Sequence, residues 1–205
     1  MKGLKLLNLI YVMDPMCSWC WAFAKPLASF LERHPELPIQ YVMGGLAPDS
    51  DKPMDLSMRS KLQSIWHHIE ESTGTEFNHQ FWSLNSPRRS TYPACRAVIA
   101  AAQLEPDSTA KMIAAIQHAY YLNAKNPSDI NVLVECATSI DLDGEAFKRL
   151  MTSDEIDVKL SEHLNASRNL GVSGFPALLL NDGTQLTPLA LGYSTLEKLE
   201  ARFLK

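Results

Sequence analysis

The sequence predicts an α/β protein: a βαβ unit at the start of the chain, a long all-helical stretch, and a ββα unit at the end. Three observations carry that prediction. Residues 5–13 are a short apolar run rich in Leu, Ile and Val, closed by Asp14-Pro15, which fits a buried parallel strand better than a helix. From about Pro53 to Leu170 the apolar residues recur at helical spacing, with no strand signal. After Gly171 short β-type runs return on either side of the turn residues Asn181-Asp182-Gly183, the signature of a hairpin.

The elements follow in order. Residues 17–33 form the first helix, and its interior Pro26 removes a backbone donor and kinks it. The segment PIQYVMGG (Pro38 to Gly45) alternates and stops at two glycines, a second strand parallel to the first through the intervening helix. Met58, Leu62, Ile65 and Ile69 form one apolar stripe, and Ile130, Leu133, Val134 and Ala137 form another with Ser128 as its N-cap. Thr152 with Glu155 has capping-box spacing ahead of Ile156, Leu160 and Leu164, and Gly171 ends that helix. Strands at Pro176–Leu180 and Gln185–Gly192 lead to a last helix capped by Ser194 and Glu197, with Leu196, Leu199 and Phe203 as its stripe. Residues 1–50 and 171–205 thus form one domain, interrupted by a helical insertion at 51–170.

Composition narrows the function classes. With 205 residues, 46% hydrophobic and 20% charged, the chain can bury a self-sufficient core. A net charge of −4 offers no basic stripe, so no nucleic-acid partner is expected. No segment reaches the roughly 18 uninterrupted apolar residues of a membrane span, so none is expected to enter a membrane. Lys2 and Lys5 precede an apolar run, but Asn8 interrupts it and no small-residue cleavage site follows, so it reads as a strand and not a signal peptide. Four cysteines, Cys17, Cys20, Cys95 and Cys136, are too few and too scattered for a secreted disulfide framework. The chain reads as cytoplasmic.

The chemistry concentrates in MDPMCSWCWAF, Met13 to Phe23. Cys17 and Cys20 fall where a strand turns into a helix. There the unpaired backbone N–H groups and the helix dipole favour a thiolate on the first cysteine. Cys17 can then attack a disulfide, and Cys20, one turn on, can resolve the product. Ser18 and Trp19 occupy the loop between them, and Asp14 nearby opposes ionisation. Two plainer readings stand beside this one: half of a zinc site, or two core cysteines paired by chance. Closing a zinc site needs two more ligands, and Cys95 and Cys136 are isolated on separate helices, so no metal is assigned.

On DPMCSWCWAFAKPL, the Gly44-Gly45 strand exit and NLGVSGFPALLL (Asn169 to Leu180), the chain resembles the DsbA-like branch of the thioredoxin superfamily, a thioredoxin-like fold with an inserted all-helical domain. The C-S-W-C run with a following tryptophan is similar to that of the FrnE-like group and the predicted protein disulfide isomerases. The resemblance implies a thiol–disulfide oxidoreductase acting on protein thiols and disulfides, without a cofactor. It implies that Pro176 is the fold's cis-proline and that the Phe175 backbone pairs with an extended substrate beside Cys17. The residues alone show only a proline opening a strand. The same branch holds kappa-class glutathione transferases and hydroxychromene-carboxylate isomerases, which carry serine in place of Cys17. A glutathione-dependent transferase or isomerase is therefore the rival reading, and glutathione a candidate partner of either.

Among the remaining residues, Trp66 and Trp82 read as core packing and Trp19 and Trp21 as walls of a groove. Thr91 is placed to cap a helix with Pro93 in its first turn, and by the resemblance Tyr92 faces the active site as a substrate contact. Cys95 reads as a buried helix cysteine. Arg88 and Arg89 could attract an acidic ligand such as glutathione or lie on a solvated loop. His67 and His68 point about 100° apart on a helix and cannot share an ion, and the other histidines show no ligand spacing with each other.

Overall fold

In a computed structural model, residues 7–204 are described; Lys5 and Leu6 of the predicted first strand lie outside them. A four-stranded mixed sheet has the order β2-β1-β3-β4, built from β1 (Asn8–Met13), β2 (Ile39–Met43), β3 (Ala177–Asn181) and β4 (Leu186–Leu191). β1 runs parallel to β2, with Leu9 beside Ile39 and Met13 beside Met43. It runs antiparallel to β3, with Tyr11 opposite Leu178. The parallel pair requires a crossover, supplied by α1 (Ser18–Arg33), which continues through Pro26. β4 carries Pro188 opposite Leu179 at a register shift, which a strand at the sheet edge tolerates because its outward side needs no donor.

The period of two along β1 divides the core. Leu9, Tyr11 and Met13 point into the main cluster with Cys17, Cys20, Phe23 and most of the helical residues. Ile10 and Val12 point to the other face, where Val42, Ala177 and Leu179 are covered by Ala166 and Leu170. Those last residues belong to and follow α8 (Asp154–Asn169), so the layer around the sheet draws on residues ahead of the boundary at 171. The preceding helices, α2 (Leu56–Thr73), α3 (Phe81–Leu84), α4 (Tyr92–Leu104), α5 (Thr109–Gln117), α6 (Ile130–Thr138) and α7 (Gly144–Met151), pack into the same main cluster. A one-turn 3-10 helix precedes α5 and a π-helical turn, His118–Leu122, follows it. The chain closes with α9 (Leu196–Phe203).

Several predicted caps are corrected. Asp129, not Ser128, occupies the N-cap of α6, because the Ser128 hydroxyl is spent on the Ser90 carbonyl at 2.8 Å. Ser153, not Thr152, precedes α8; Thr152 Oγ1 bonds back to Lys148 O, and Glu155 accepts from Gln103. Thr195, not Ser194, stands at the N-cap of α9, and Ser194 is buried. Gly171, at φ 69°, follows α8 in the left-handed conformation expected of a helix stop. Among the described residues no helix is long and apolar enough to cross a membrane.

Candidate active site

β1 ends at Met13, and after Asp14 the chain turns so that Cys17 becomes the N-cap of α1, its N–H bonded to Asp14 O at 3.0 Å. Cys17 makes no side-chain cap bond. Its thiol instead lies 3.6 Å from the carbonyl oxygen of Phe175, at a cis Phe175–Pro176 peptide just ahead of β3. Cys17 is 6% exposed and Cys20 is fully buried, and both are free thiols. Burial pushes the Cys20 thiol far above the ordinary range, and its hydrogen bond with Cys17 adds to the effect. The Tyr11 hydroxyl reaches Cys20 from β1 and is itself raised, first by burial and then by the two cysteines.

Asp14 is completely buried, yet its carboxylate is fully used. Oδ1 accepts from Met16 N at 2.8 Å. Oδ2 accepts from Leu46 N and the Thr91 hydroxyl, each at 2.6 Å, and from the Cys95 thiol at 3.6 Å. Burial raises its pKa, opposed by these bonds, that from Leu46 being the strongest. Thr91 thus stands at the N-cap of α4 without capping it; besides bonding Asp14 its oxygen accepts from Ala47 N at 3.0 Å. Cys95 is buried, and burial, then the Asp14 charge, pushes its thiol well up.

Cys17 opens onto a cavity of about 300 Å³. It is lined by Ser18 and Trp19 of α1, by Met58, Lys61, Leu62, Ile65 and Trp66 of α2, and by Met54, Arg88, Arg89, Tyr120 and Phe175. Trp19 is held between His68 and Tyr193, each ring 5.9 Å away. Trp66 and Trp82 are buried in an aromatic cluster with Phe77, Phe81, Tyr120 and Tyr121. Trp66 therefore serves both core and cavity. Trp21 turns away, stacked on Tyr121 and donating to Glu76 O. Tyr92 does not line the cavity; its ring lies over Gly45 with Leu164. Arg88 is tied to Ser128 O and Asp129, whereas exposed Arg89 meets only the Met58 sulfur at 3.9 Å among the described residues. A larger cleft of about 890 Å³ shares Arg88 but is walled by Arg96, Asp49 and Asp157, whose charges are already paired with one another.

Tyr11, Asp14 and Thr91 complete the surroundings of the thiols. Strand alternation puts Tyr11 on the inner face with Leu9 and Met13. Nothing in the local spacing joins Asp14 to Thr91, which is 77 residues away.

Comparison with known proteins agrees with this architecture. A solved structure of a candidate protein disulfide isomerase from Nitrosomonas europaea superposes with a TM-score of 0.86 at 28% identity, covering 96% of this chain and 95% of that one. The cytosolic disulfide reductase DsbM from Pseudomonas aeruginosa gives 0.78 at 25% identity and 96% of each chain, and a further structure of it contains GSH. A curated relative, the ClpXP adapter protein SpxH of Halalkalibacterium halodurans, is 24% identical over 183 residues, which are 87% of this chain but only 60% of that protein. The model of the DSBA-like thioredoxin domain matches residues 8–203, and this chain, with its thioredoxin-like sheet and its run of helices between β2 and β3, belongs to that family.

Proposed function

We propose that the chain is a cytoplasmic thiol–disulfide oxidoreductase coupled to glutathione, with Cys17 as the attacking cysteine and Cys20 as the resolving one. The observation that carries the reading is the asymmetry of the pair: Cys17 borders the cavity beside Phe175 O, while Cys20 is sealed behind it. The Cys17 sulfur attacks a substrate disulfide, and the departing sulfur takes up a proton. The Cys20 sulfur, losing its proton, then attacks Cys17 and releases the second substrate thiol. The substrate disulfide gains two electrons and two protons and leaves as two thiols, and the protein, having given them up, is left with a Cys17–Cys20 disulfide. Two glutathione molecules restore the dithiol and leave as their own disulfide. Lys61 and Arg89 suit the carboxylates of such a tripeptide, and Met58, Leu62 and Ile65, which share α2 with Lys61 in the same cavity, suit apolar protein segments. The Phe175–Pro176 backbone supports docking of an extended chain beside Cys17. The GSH-containing DsbM structure supports the choice of partner.

The test is Cys20→Ser. Expected is a trapped mixed disulfide on Cys17 with protein substrate or glutathione, and loss of turnover. Full turnover of a small electrophile with glutathione, untouched by the substitution, points instead to the transferase or isomerase reading. A second reading, that the chain is a binding adapter, is favoured by the similarity to SpxH. Its sign is a protein partner retained when both Cys17 and Cys20 are serine.

A further inference from the structure

On the outer side of α2, away from the thiols, three side chains converge. His67 and Glu70 are one helical turn apart and so face the same way; Nδ1 of His67 lies 3.3 Å from Glu70 Oε2. His79, from the segment leading into α3, folds back so that its Nε2 lies 2.8 Å from the same oxygen. The two imidazoles are stacked at 4.1 Å, their planes 10° apart, and the three ligand atoms lie within 4.8 Å of one another. The neighbouring His68 takes no part, since its ring packs on Trp19.

The segment carrying His79 is anchored rather than loose. Asn78 N donates to Tyr121 O at 2.6 Å, its side-chain amide donates to Leu122 O at 2.9 Å, and its Oδ1 accepts from Gln80 N at 3.0 Å. The indole of Trp66 packs on the His79 ring at 5.8 Å. His79 is thus held in place before any ligand arrives, which lowers the ordering cost of binding.

We propose that His67, Glu70 and His79 form a binding site for a divalent transition cation of the zinc class. Two neutral imidazoles and one carboxylate make a mixed nitrogen and oxygen set, matched to zinc and its neighbours and not to calcium or magnesium, which take all-oxygen shells. Metal–ligand bonds of about 2.0–2.2 Å in a tetrahedron place ligand atoms roughly 3.3 Å apart. The His67 to Glu70 separation already has that value, and the Glu70 carboxylate needs to draw back by only about half an ångström from His79, 2.8 Å away. Nearly parallel rings cannot both point their nitrogens at one ion, so binding swings the His67 ring, whose side chain is 62% exposed, while His79 stays fixed. Water fills the fourth position. The ion braces α2 against the segment before α3, and through Trp66, which touches His79 and lines the Cys17 cavity, it stiffens one wall of that cavity.

The experiment is calorimetric titration of zinc chloride into the full chain carrying Cys17→Ser and Cys20→Ser, so that those thiols cannot compete. Expected is one zinc ion per chain, with affinity at least tenfold weaker after His79→Gln, Glu70→Gln or His67→Asn and unchanged after His68→Asn, circular dichroism verifying the fold of each. Because His67 is exposed, its replacement leaves a folded protein in which the result can be read. Absence of one-to-one binding, or an affinity indifferent to both His67→Asn and His79→Gln, overturns the proposal. Neither outcome bears on the disulfide chemistry, since the thiol pair is absent throughout.

Discussion

The ring of Phe175 occupies the space that a side chain at position 44 would need: a Cβ on Gly44 would stand 2.1 Å from Cε1 and Cζ of that ring. Gly44 lies at the exit of β2 and Phe175 at the entry of β3, so this fit joins two strand ends that flank β1. It also steadies the residue whose carbonyl faces the Cys17 thiol. Gly44→Ala must push the ring aside, at the about 1–3 kcal/mol typical of overpacking. Phe175→Ala in the same chain should recover most of that loss. Urea midpoints of the two single variants and the double variant measure the coupling, and additivity within about 0.5 kcal/mol would contradict the fit. Disulfide exchange by Gly44→Ala is expected to slow by roughly tenfold, since misplacement of about 1 Å near a reacting atom is costly.

Asp14 and Thr91 make a second test. Thr91→Val keeps the shape of the side chain but leaves Asp14 Oδ2 and Ala47 N each short of a partner, a loss of about 1–3 kcal/mol. Thr91→Ser keeps the hydroxyl and should cost less. Were Thr91 acting only as a helix cap, Thr91→Asn would be neutral, as asparagine caps well; chemical denaturation of the three variants distinguishes the roles.

His163 gives a prediction in pH. Met43 N donates to its Nδ1 at 3.1 Å, so that nitrogen must be free of a proton. Burial lowers the pKa of His163 below the ordinary 6.5. The unfolded chain therefore takes up the proton more readily, and this contribution to stability is complete above about pH 6.5 and is lost as pH falls towards the folded-state value. His163→Gln retains an acceptor without titrating. Its stability should drop less than that of the unaltered chain between about pH 7.5 and about pH 5.5; equal drops would remove His163 from the account.

Brief alkylation should discriminate among the thiols of the reduced, folded chain. Cys17 borders the cavity, whereas Cys20 and Cys95 are fully buried. Cys136 is held in its protonated form by burial, which pushes its pKa up to about 11. Peptide mass spectrometry after limited iodoacetamide treatment near neutral pH should find Cys17 modified first, with Cys20 and Cys95 labelled only after unfolding. Early labelling of Cys20 would refute the sealed arrangement.

The elements that periodicity governs were legible in the sequence. The apolar run of β1, the alternation of β2, the stripe of α2 and the Asn181-Asp182-Gly183 turn each follow from near neighbours, and so does the Cys17 helix start. Side chains whose partners are remote were not. Thr91 and Ser128 have the residue types of caps, yet tertiary partners claim both hydroxyls. The cavity draws its walls from α1, α2, the loops around Leu46 and Arg89, and Phe175, a set that no window of sequence contains. His79 meets His67 only because Asn78 anchors its segment to the π-helical turn. The Gly44-Gly45 pair was visible as a strand exit, but the reason for Gly44, an aromatic ring from residue 175, was not.

The depth of Cys20 sets an order of events. A disulfide that reaches this protein finds one sulfur at the doorway and the other buried behind it, so the bond between molecules must form before the bond within the chain. On the oxidoreductase reading, the oxidising substrate has to depart before a reducing thiol can enter by the same door. The two reactants take turns, and initial rates plotted reciprocally against one at several levels of the other should give parallel lines, the kinetic signature of a ping-pong exchange.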